Sequence, residues 1–232
     1  DGRIAGFTAL AESAFRKAFC RANLTASETA SEYITLAGLI NRLPQGRALK
    51  AAAHYESALP ARIGCRIPAQ VGYSSQAFNI DRIGEKFDGS LLVASNILSF
   101  DFLWNVVRVQ GGAYGTGFRA DSKGFISTYS YRDPSTANSV EVNKRLGDYL
   151  RDFCDRKAPL NSFIIAAVAG TEPLLPPAAR GYLADRRYFS GSDYDEQKTI
   201  RAQMLSADYD KLRWCAMIAD AMAENGRVAA VG

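Results

Sequence analysis

A single histidine, His54, occurs in 232 residues. No zinc motif that needs two histidines on one helix can therefore be present, in either the H-E-x-x-H or the H-x-x-E-H order. The four cysteines, Cys20, Cys65, Cys154 and Cys215, stand 45 or more positions apart, and no C-x-x-C pair occurs. This spacing excludes a ribbon-type zinc site and a dense disulfide framework, and predicts free buried thiols in a reducing compartment. No run of 18 uninterrupted apolar residues is present, and the N-terminus lacks a secretory pattern, so the expected protein is soluble and globular with no membrane partner. The chain opens on Asp1 rather than Met, as an excised C-terminal piece would, with any targeting segment outside it. The net charge is +4 and the pI near 8.9, yet the longest basic run is Arg186-Arg187. Without a basic stripe or a recognition motif, nucleic acid is excluded as a partner. Internal repeats and low-complexity segments are also lacking.

The sequence does have a hydrophobic content of 47%, enough to bury a core over this length. Residues 1 to 60 read as helices near Ala5 to Ala22, Ser27 to Leu43 and Gly46 to Ser57. Pro60 marks a change of pattern, and the domain boundary is placed there. From Gly64 to Phe78 the text alternates, which predicts one long half-buried strand with Cys65, Ile67, Ala69, Val71, Tyr73 and Ala77 on one face and Arg66, Gln70, Ser74 and Gln76 on the other. Ser90 is expected to cap an apolar helix from Leu91 to about Val107. Its wide buried face joins the stripe Leu91, Ala94, Leu98, Phe102 to the stripe Val93, Ile97, Phe100, Trp104. An antiparallel hairpin follows, Ala113 to Ala120 and Phe125 to Tyr131, turning at Asp121 to Gly124. Asp133-Pro134 predicts a helix start with proline in the first helical position. Beyond Pro159 the chain reads as mostly helical, with breaks at Pro173 to Pro177 and Ser190 to Ser192, and closes on a short strand, Arg227 to Val231.

Between the apolar helix and the hairpin lies Arg108-Val109-Gln110-Gly111-Gly112-Ala113-Tyr114-Gly115-Thr116-Gly117. A phosphate loop needs a strand before its glycines and a helix N-terminus after them. Here a helix precedes and a strand follows, so these glycines end a helix and admit close backbone approach. Arg108 supplies fixed planar donors and Tyr114 a neutral hydroxyl. Together they can grip a peptide carbonyl and stabilise the oxyanion formed when water attacks it. Read on residue type alone, the two would be a helix C-terminal cation and a packed strand aromatic. Arg132 and Asp133 read as a cap and surface charge, His54 as a surface or packed helix residue, and Asp193, Asp195 and Glu196 as an acidic helix start.

The segment Arg108 to Gly115 resembles, letter for letter, the R-V-Q-G-G-A-Y-G pattern in the C-terminal half of presequence-degrading zinc peptidases of the insulinase/pitrilysin family. Pro68 to Tyr73, Ser130 to Pro134 and Leu174 to Tyr182 are similar to other segments of that half, at fitting spacing. The resemblance covers residue 64 to the end and is weak over residues 1 to 60. It implies an α+β fold, with a mainly antiparallel sheet packed against helices on one face. Residues 61–232 would be the C-terminal domain and residues 1–60 a helical remnant of the domain before it. It further implies that Arg108 and Tyr114 complete a catalytic site whose zinc is held by the N-terminal half of the same peptidase, with none bound by this fragment; Gly111 and Gly112 would help to bind substrate. The implied activity is a metalloendopeptidase that degrades unfolded peptides in a closed chamber, in the bacterial cytoplasm or an organelle matrix. The fragment alone would be inactive. Two alternatives remain: a non-catalytic structural or peptide-binding member of the same fold, and a module using the strand near Cys65 to Phe78 as an edge for β-addition.

Overall fold

A computed structural model describes residues 32–45 and 59–232. The helices expected at Ala5 to Ala22 and Gly46 to Ser57 lie outside those residues, as do Cys20 and His54. In chain order the elements are α1 (Glu32–Asn41), β1 (Arg62–Cys65), β2 (Gly72–Asn79), α2 (Ser90–Gln110), β3 (Gly115–Ala120) and β4 (Phe125–Asp133). Then come α3 (Thr136–Val142), α4 (Leu146–Asp155), α5 (Asn161–Thr171), α6 (Pro177–Ser190), α7 (Tyr194–Leu205), α8 (Tyr209–Asn225) and β5 (Arg227–Val231). The chain forms two units. One holds Ala58–Pro173 and Tyr194–Gly232; the other groups Leu174–Asp193 with residues up to Ser57, and its described elements are α1 and α6.

The larger unit contains a five-stranded sheet in the order β1-β5-β2-β4-β3. Only β1 and β5 run parallel; the other pairs are antiparallel, giving the expected α+β class with a mainly antiparallel sheet. The long strand expected from Gly64 to Phe78 is two strands, and β5 lies between them. Pro68 has no N–H to give a ladder, and Ala69 N–H donates to Ile67 O at 2.9 Å, so the chain turns before β2 begins. β2 is therefore interior, and only β1 of that stretch lies at an edge, which removes the β-addition reading for the stretch as a whole.

The faces of β2 are also the reverse of the expected ones. Ser74, Gln76 and Phe78 are buried, whereas Tyr73 and Ala77 are exposed. Burial of the polar residues is tolerated because each is satisfied. Ser74 Oγ and Ser130 Oγ share a 2.7 Å bond, Gln76 Nε2 donates to Met222 O at 2.8 Å, and Gln76 Oε1 accepts from Asn143 Nδ2 at 2.9 Å. This network ties the sheet to α8 and to the turn between α3 and α4. Around it Phe78, Phe118, Ile126, Leu150, Phe153 and Ile218 build the core.

Helix α2 starts as an α-helix and is wound as a π-helix from Ile97 to Gln110. Its buried residues step by four and five, through Val93, Leu98, Phe102 or Leu103, and Val107, as i to i−5 bonding requires. The expected apolar face holds at Leu91, Val93, Ala94, Ile97, Leu98 and Phe102 and fails at its far end, where Phe100 and Trp104 turn outward, 62% and 39% exposed. By length and composition α2 could cross a membrane, but half of it is buried inside this unit, where it serves as the core helix. Ser95 Oγ and Ser99 Oγ donate to Phe118 O, and Ser99 Oγ accepts from Phe118 N, so the helix satisfies the edge strand β3. Tyr149 of α4 donates to Asp101 of α2 at 2.5 Å; burial first, and then this carboxylate, pushes its phenol up to about 12.

Two sequence-based caps shift by a few positions. Ser90 is inside α2, fully buried, and Asp88 takes the capping role, accepting from Ser90 N at 2.9 Å and Ser90 Oγ at 2.7 Å. Pro134 precedes α3, and Asp133 Oδ1 accepts from Ser135 N at 2.8 Å. The hairpin of β3 and β4 forms as expected; Asp121 Oδ1 accepts from Lys123 N and Phe125 N in its turn. Among the described cysteines Cys154 and Cys215 are buried, and desolvation pushes the Cys215 thiol up to about 12. Cys65 departs from the expectation: it is exposed on β1.

Asp88 also accepts from Lys211 Nζ of α8 at 2.8 Å. Burial works against its carboxylate, but the Lys211 bond and the Ser90 bonds outweigh it and hold the pKa below its ordinary value. A carboxylate held low stabilises the fold above its unfolded-state pKa, and that contribution disappears as pH falls through the folded-state value. Asp88→Asn is expected to cost about 0.5–1 kcal/mol at pH 7 in urea unfolding, with the gap to the wild type closing below about pH 4.

Candidate functional site

The π-wound end of α2 delivers its last side chains to the start of β3. Gly111 N–H donates to Val106 O at 3.0 Å, Gly112 N–H to Arg108 O at 3.0 Å and Ala113 N–H to Val107 O at 3.2 Å, a nested closure one residue wider than that of an α-helix. Gly112 takes φ +79° in that closure, a conformation that disfavours a side chain, and Gly111 is the helical residue before it. The two glycines are exposed and act on the backbone as a stop.

This closure brings together the two residues singled out in the sequence. Arg108 Nε donates to the Tyr114 main-chain O at 2.9 Å, and its guanidinium lies 3.8 Å from the centroid of the Trp104 ring. Trp104 is thus the plate on which the cation rests, a role hidden in sequence because the residue reads there as core. Among the described residues the terminal nitrogens of Arg108 have no protein acceptor, so its outer N–H groups face outward unspent. Tyr114 is 65% exposed, and its N–H is held by Tyr131 O at 3.1 Å.

The Tyr114 ring meets Tyr131 edge-on at 5.8 Å, and Tyr131 meets Tyr73 in the same way at 5.4 Å. The Arg132 guanidinium sits 5.7 Å from the Tyr114 ring centroid. Arg132 has φ +48°, which is unusual for a residue with a side chain, while Asp133 beside it is 2% exposed. Asp133 is a buried group and not surface charge: its Oδ1 accepts from Ser135 N at the entry to α3, and among the described residues its Oδ2 has no partner. Nothing in the local text marks Arg132 for this backbone conformation. A cavity of about 350 Å³ opens beside the helix end, lined by Val106, Gln110, Gly111, Ser135, Asn138 and Arg145 among others.

Chemically, the cluster offers a fixed arginine, an exposed phenol and aromatic surface, all donors or apolar groups. No group of three or more His, Cys, Asp or Glu that could hold a metal ion occurs among the described residues. Asp195 and Glu196 fall in the first turn of α7, as read from the sequence.

Residues 64–231 match the family described as PreP C-terminal domain. The chain is 33% identical over 166 residues to presequence protease 1, chloroplastic/mitochondrial, of Arabidopsis thaliana, covering 71% of this chain and 15% of that protein. It is 32% identical over 165 residues to protein HypA of Clostridium perfringens, covering 70% of this chain and 17% of that protein. It thus spans only about a sixth of the length of the curated relatives it matches. Among solved structures, the peptidase M16 inactive domain from Pseudomonas fluorescens is similar in fold. The TM-score is 0.58 at 13% identity, over 87% of this chain and 50% of that one.

The positive φ at Arg132 separates backbone from side chain. Arg132→Gly is expected to match or exceed wild-type stability in urea unfolding, whereas Arg132→Val, β-branched at a left-handed position, should lose about 1–2 kcal/mol.

Proposed function

The chain belongs to the PreP C-terminal domain family of insulinase-type (M16) peptidases, and from that premise we propose that it is the substrate-gripping domain of a zinc metalloendopeptidase acting on unfolded peptides. In this reading residues 61–232 are the C-terminal domain and residues 1–60 a helical remnant of the domain before it. The N-terminal half of the same peptidase is the partner that closes the chamber. In this reading the zinc is held by that other half, and no group of three or more His, Cys, Asp or Glu that could hold it occurs among the described residues of this chain. This fragment on its own is inactive in the proposal.

The observation that carries the reading is the bond from Arg108 Nε to the Tyr114 carbonyl, with Trp104 beneath the guanidinium and the Tyr114 ring exposed beside it. A guanidinium fixed through Nε and stacked on an indole keeps its outer N–H pair in place without reorganising when charge develops. The Tyr114 hydroxyl adds a second, neutral donor. Both would take hold of the scissile carbonyl oxygen and bind it more tightly as it becomes an oxyanion, which lowers the barrier instead of merely retaining substrate. Gly111 and Gly112 help to bind substrate by leaving the approach free of side chains.

The test uses the intact peptidase that contains this chain and a fluorogenic unstructured peptide. Tyr114→Phe is expected to lower kcat by roughly 10²- to 10³-fold with little change in KM. Arg108→Ala should lower kcat/KM at least as far, because its loss also frees the Tyr114 carbonyl. An unchanged kcat for Tyr114→Phe would remove the oxyanion role.

A further inference from the structure

Strand β4 loses its alternation at one place. Ile126, Thr128 and Ser130 are buried in turn, and regular continuation would bury Arg132 and turn Asp133 outward. Instead Tyr131 and Arg132 are both exposed and Asp133 is buried. The register gives the cause. Tyr73 of β2 pairs with Tyr131 and Gly72 with Asp133, so Arg132 is an extra residue without a partner on β2, a β-bulge. Its φ of +48° is the left-handed conformation that a bulge of this kind ordinarily gives to glycine.

Arginine is a costlier occupant of that position than glycine, because its Cβ is crowded at positive φ. Core packing does not offset the cost, since the side chain is exposed. Among the described residues the Arg132 guanidinium has neither a carboxylate partner nor a hydrogen-bond acceptor; what it meets is the Tyr114 ring. The carbonyls of the bulge meet the same residue, for the Tyr114 N–H is shared between Tyr131 O at 3.1 Å and Arg132 O at 3.3 Å. In an unbulged strand the neighbours Tyr131 and Arg132 would point to opposite faces, and one ring could not meet both. Here the Tyr114 ring has Tyr131 at 5.8 Å and Arg132 at 5.7 Å. Bulges re-aim side chains beside active sites, and backbone strain of this kind clusters at such sites.

We infer that Arg132 is a positioning residue for Tyr114: the bulge carries its guanidinium onto the ring, and the cation holds the phenol where its hydroxyl can reach the substrate carbonyl. The inference deepens the reading of Tyr114 as an oxyanion donor and rests on it. Arg132 touches no reacting atom and acts through the ring alone. A cation over an exposed ring changes the population of the held orientation by a few-fold, and the effect on the rate has the same size.

The kinetic arm of the experiment uses the intact peptidase with Arg132→Gly, Arg132→Asn and Arg132→Lys, each alone and combined with Tyr114→Phe. Glycine and asparagine accept the left-handed backbone without the cation, and lysine restores a cation. Arg132→Gly and Arg132→Asn are expected to lower kcat about two- to fivefold with little change in KM, and Arg132→Lys to recover most of the loss. Arg132→Gly should do so with Tm at or above that of the wild type, which a merely structural role would not produce. In the Tyr114→Phe background no hydroxyl is left to place, and the three substitutions should have no further effect on kcat. The second arm needs no catalysis: in the 232-residue chain the NOE between the Tyr114 and Tyr131 rings should weaken in the Gly and Asn variants and persist in the Lys variant.

With Tyr114→Phe slowed as expected, an unchanged kcat in the Gly and Asn variants would overturn the inference, and so would a loss that lysine does not relieve. A loss that persists in the Tyr114→Phe background would also overturn it, because Arg132 would then act on substrate directly. If Tyr114→Phe itself leaves kcat unchanged, the oxyanion reading fails, and the positioning of the ring stands on a weakened NOE or falls on an unchanged one.

Discussion

Because Ile97–Gln110 is wound with i to i−5 bonds, the last turn of α2 points Arg108 back at the strand that follows it. An α-wound segment of the same text would carry Phe100 and Trp104 toward the core, and Arg108, one turn from Trp104, with them. The winding is held from one side by buried Leu98, Phe102, Leu103 and Val107, and at its end by the nested closure over Gly111 and Gly112. From the other side Ser95 and Ser99 bond to Phe118, tying β3 to the helix. Core packing, strand edge and site geometry are thus consequences of one helical pitch.

Much of the outline could be read from the residues themselves, since it depends on neighbours in sequence. The β3–β4 hairpin, its Asp121 to Gly124 turn, the closing strand and the helical character after Pro159 all rest on local pattern. The pairing of Arg108 with Tyr114 came from a motif, and the structure adds the particular atoms, Nε to a main-chain oxygen. What could not be read depends on residues far away in the chain. Gln76 is buried because Asn143 and Met222 receive it, 67 and 146 positions on, and alternation alone assigns it to solvent. β5 separates β1 from β2 through a pairing that closes nearly the whole domain. The left-handed backbone of Arg132 has no signature, for arginine rarely adopts it.

The distribution of charge follows from the same two-layer build. Several arginines on the helices are paired with carboxylates one turn away or on the next helix, as Arg151 is with Asp148 and Asp220. Strands alternate faces, and the five here carry no exposed carboxylate with which to do the same. The polar groups buried beneath the sheet, Ser74, Gln76, Thr128 and Ser130, make that layer specific, while the tyrosines above it provide aromatic surface.

Cys65 stands at the margin of that second layer, in the row of Tyr73 and Tyr131, and it is exposed, whereas Cys154 and Cys215 are buried with thiols kept protonated by desolvation. Among the described residues there are thus two inert thiols in the interior and one accessible thiol beside the Tyr73–Tyr131 row. A maleimide dye or nitroxide attached there would sense material arriving on the tyrosine row without entering the packed layer.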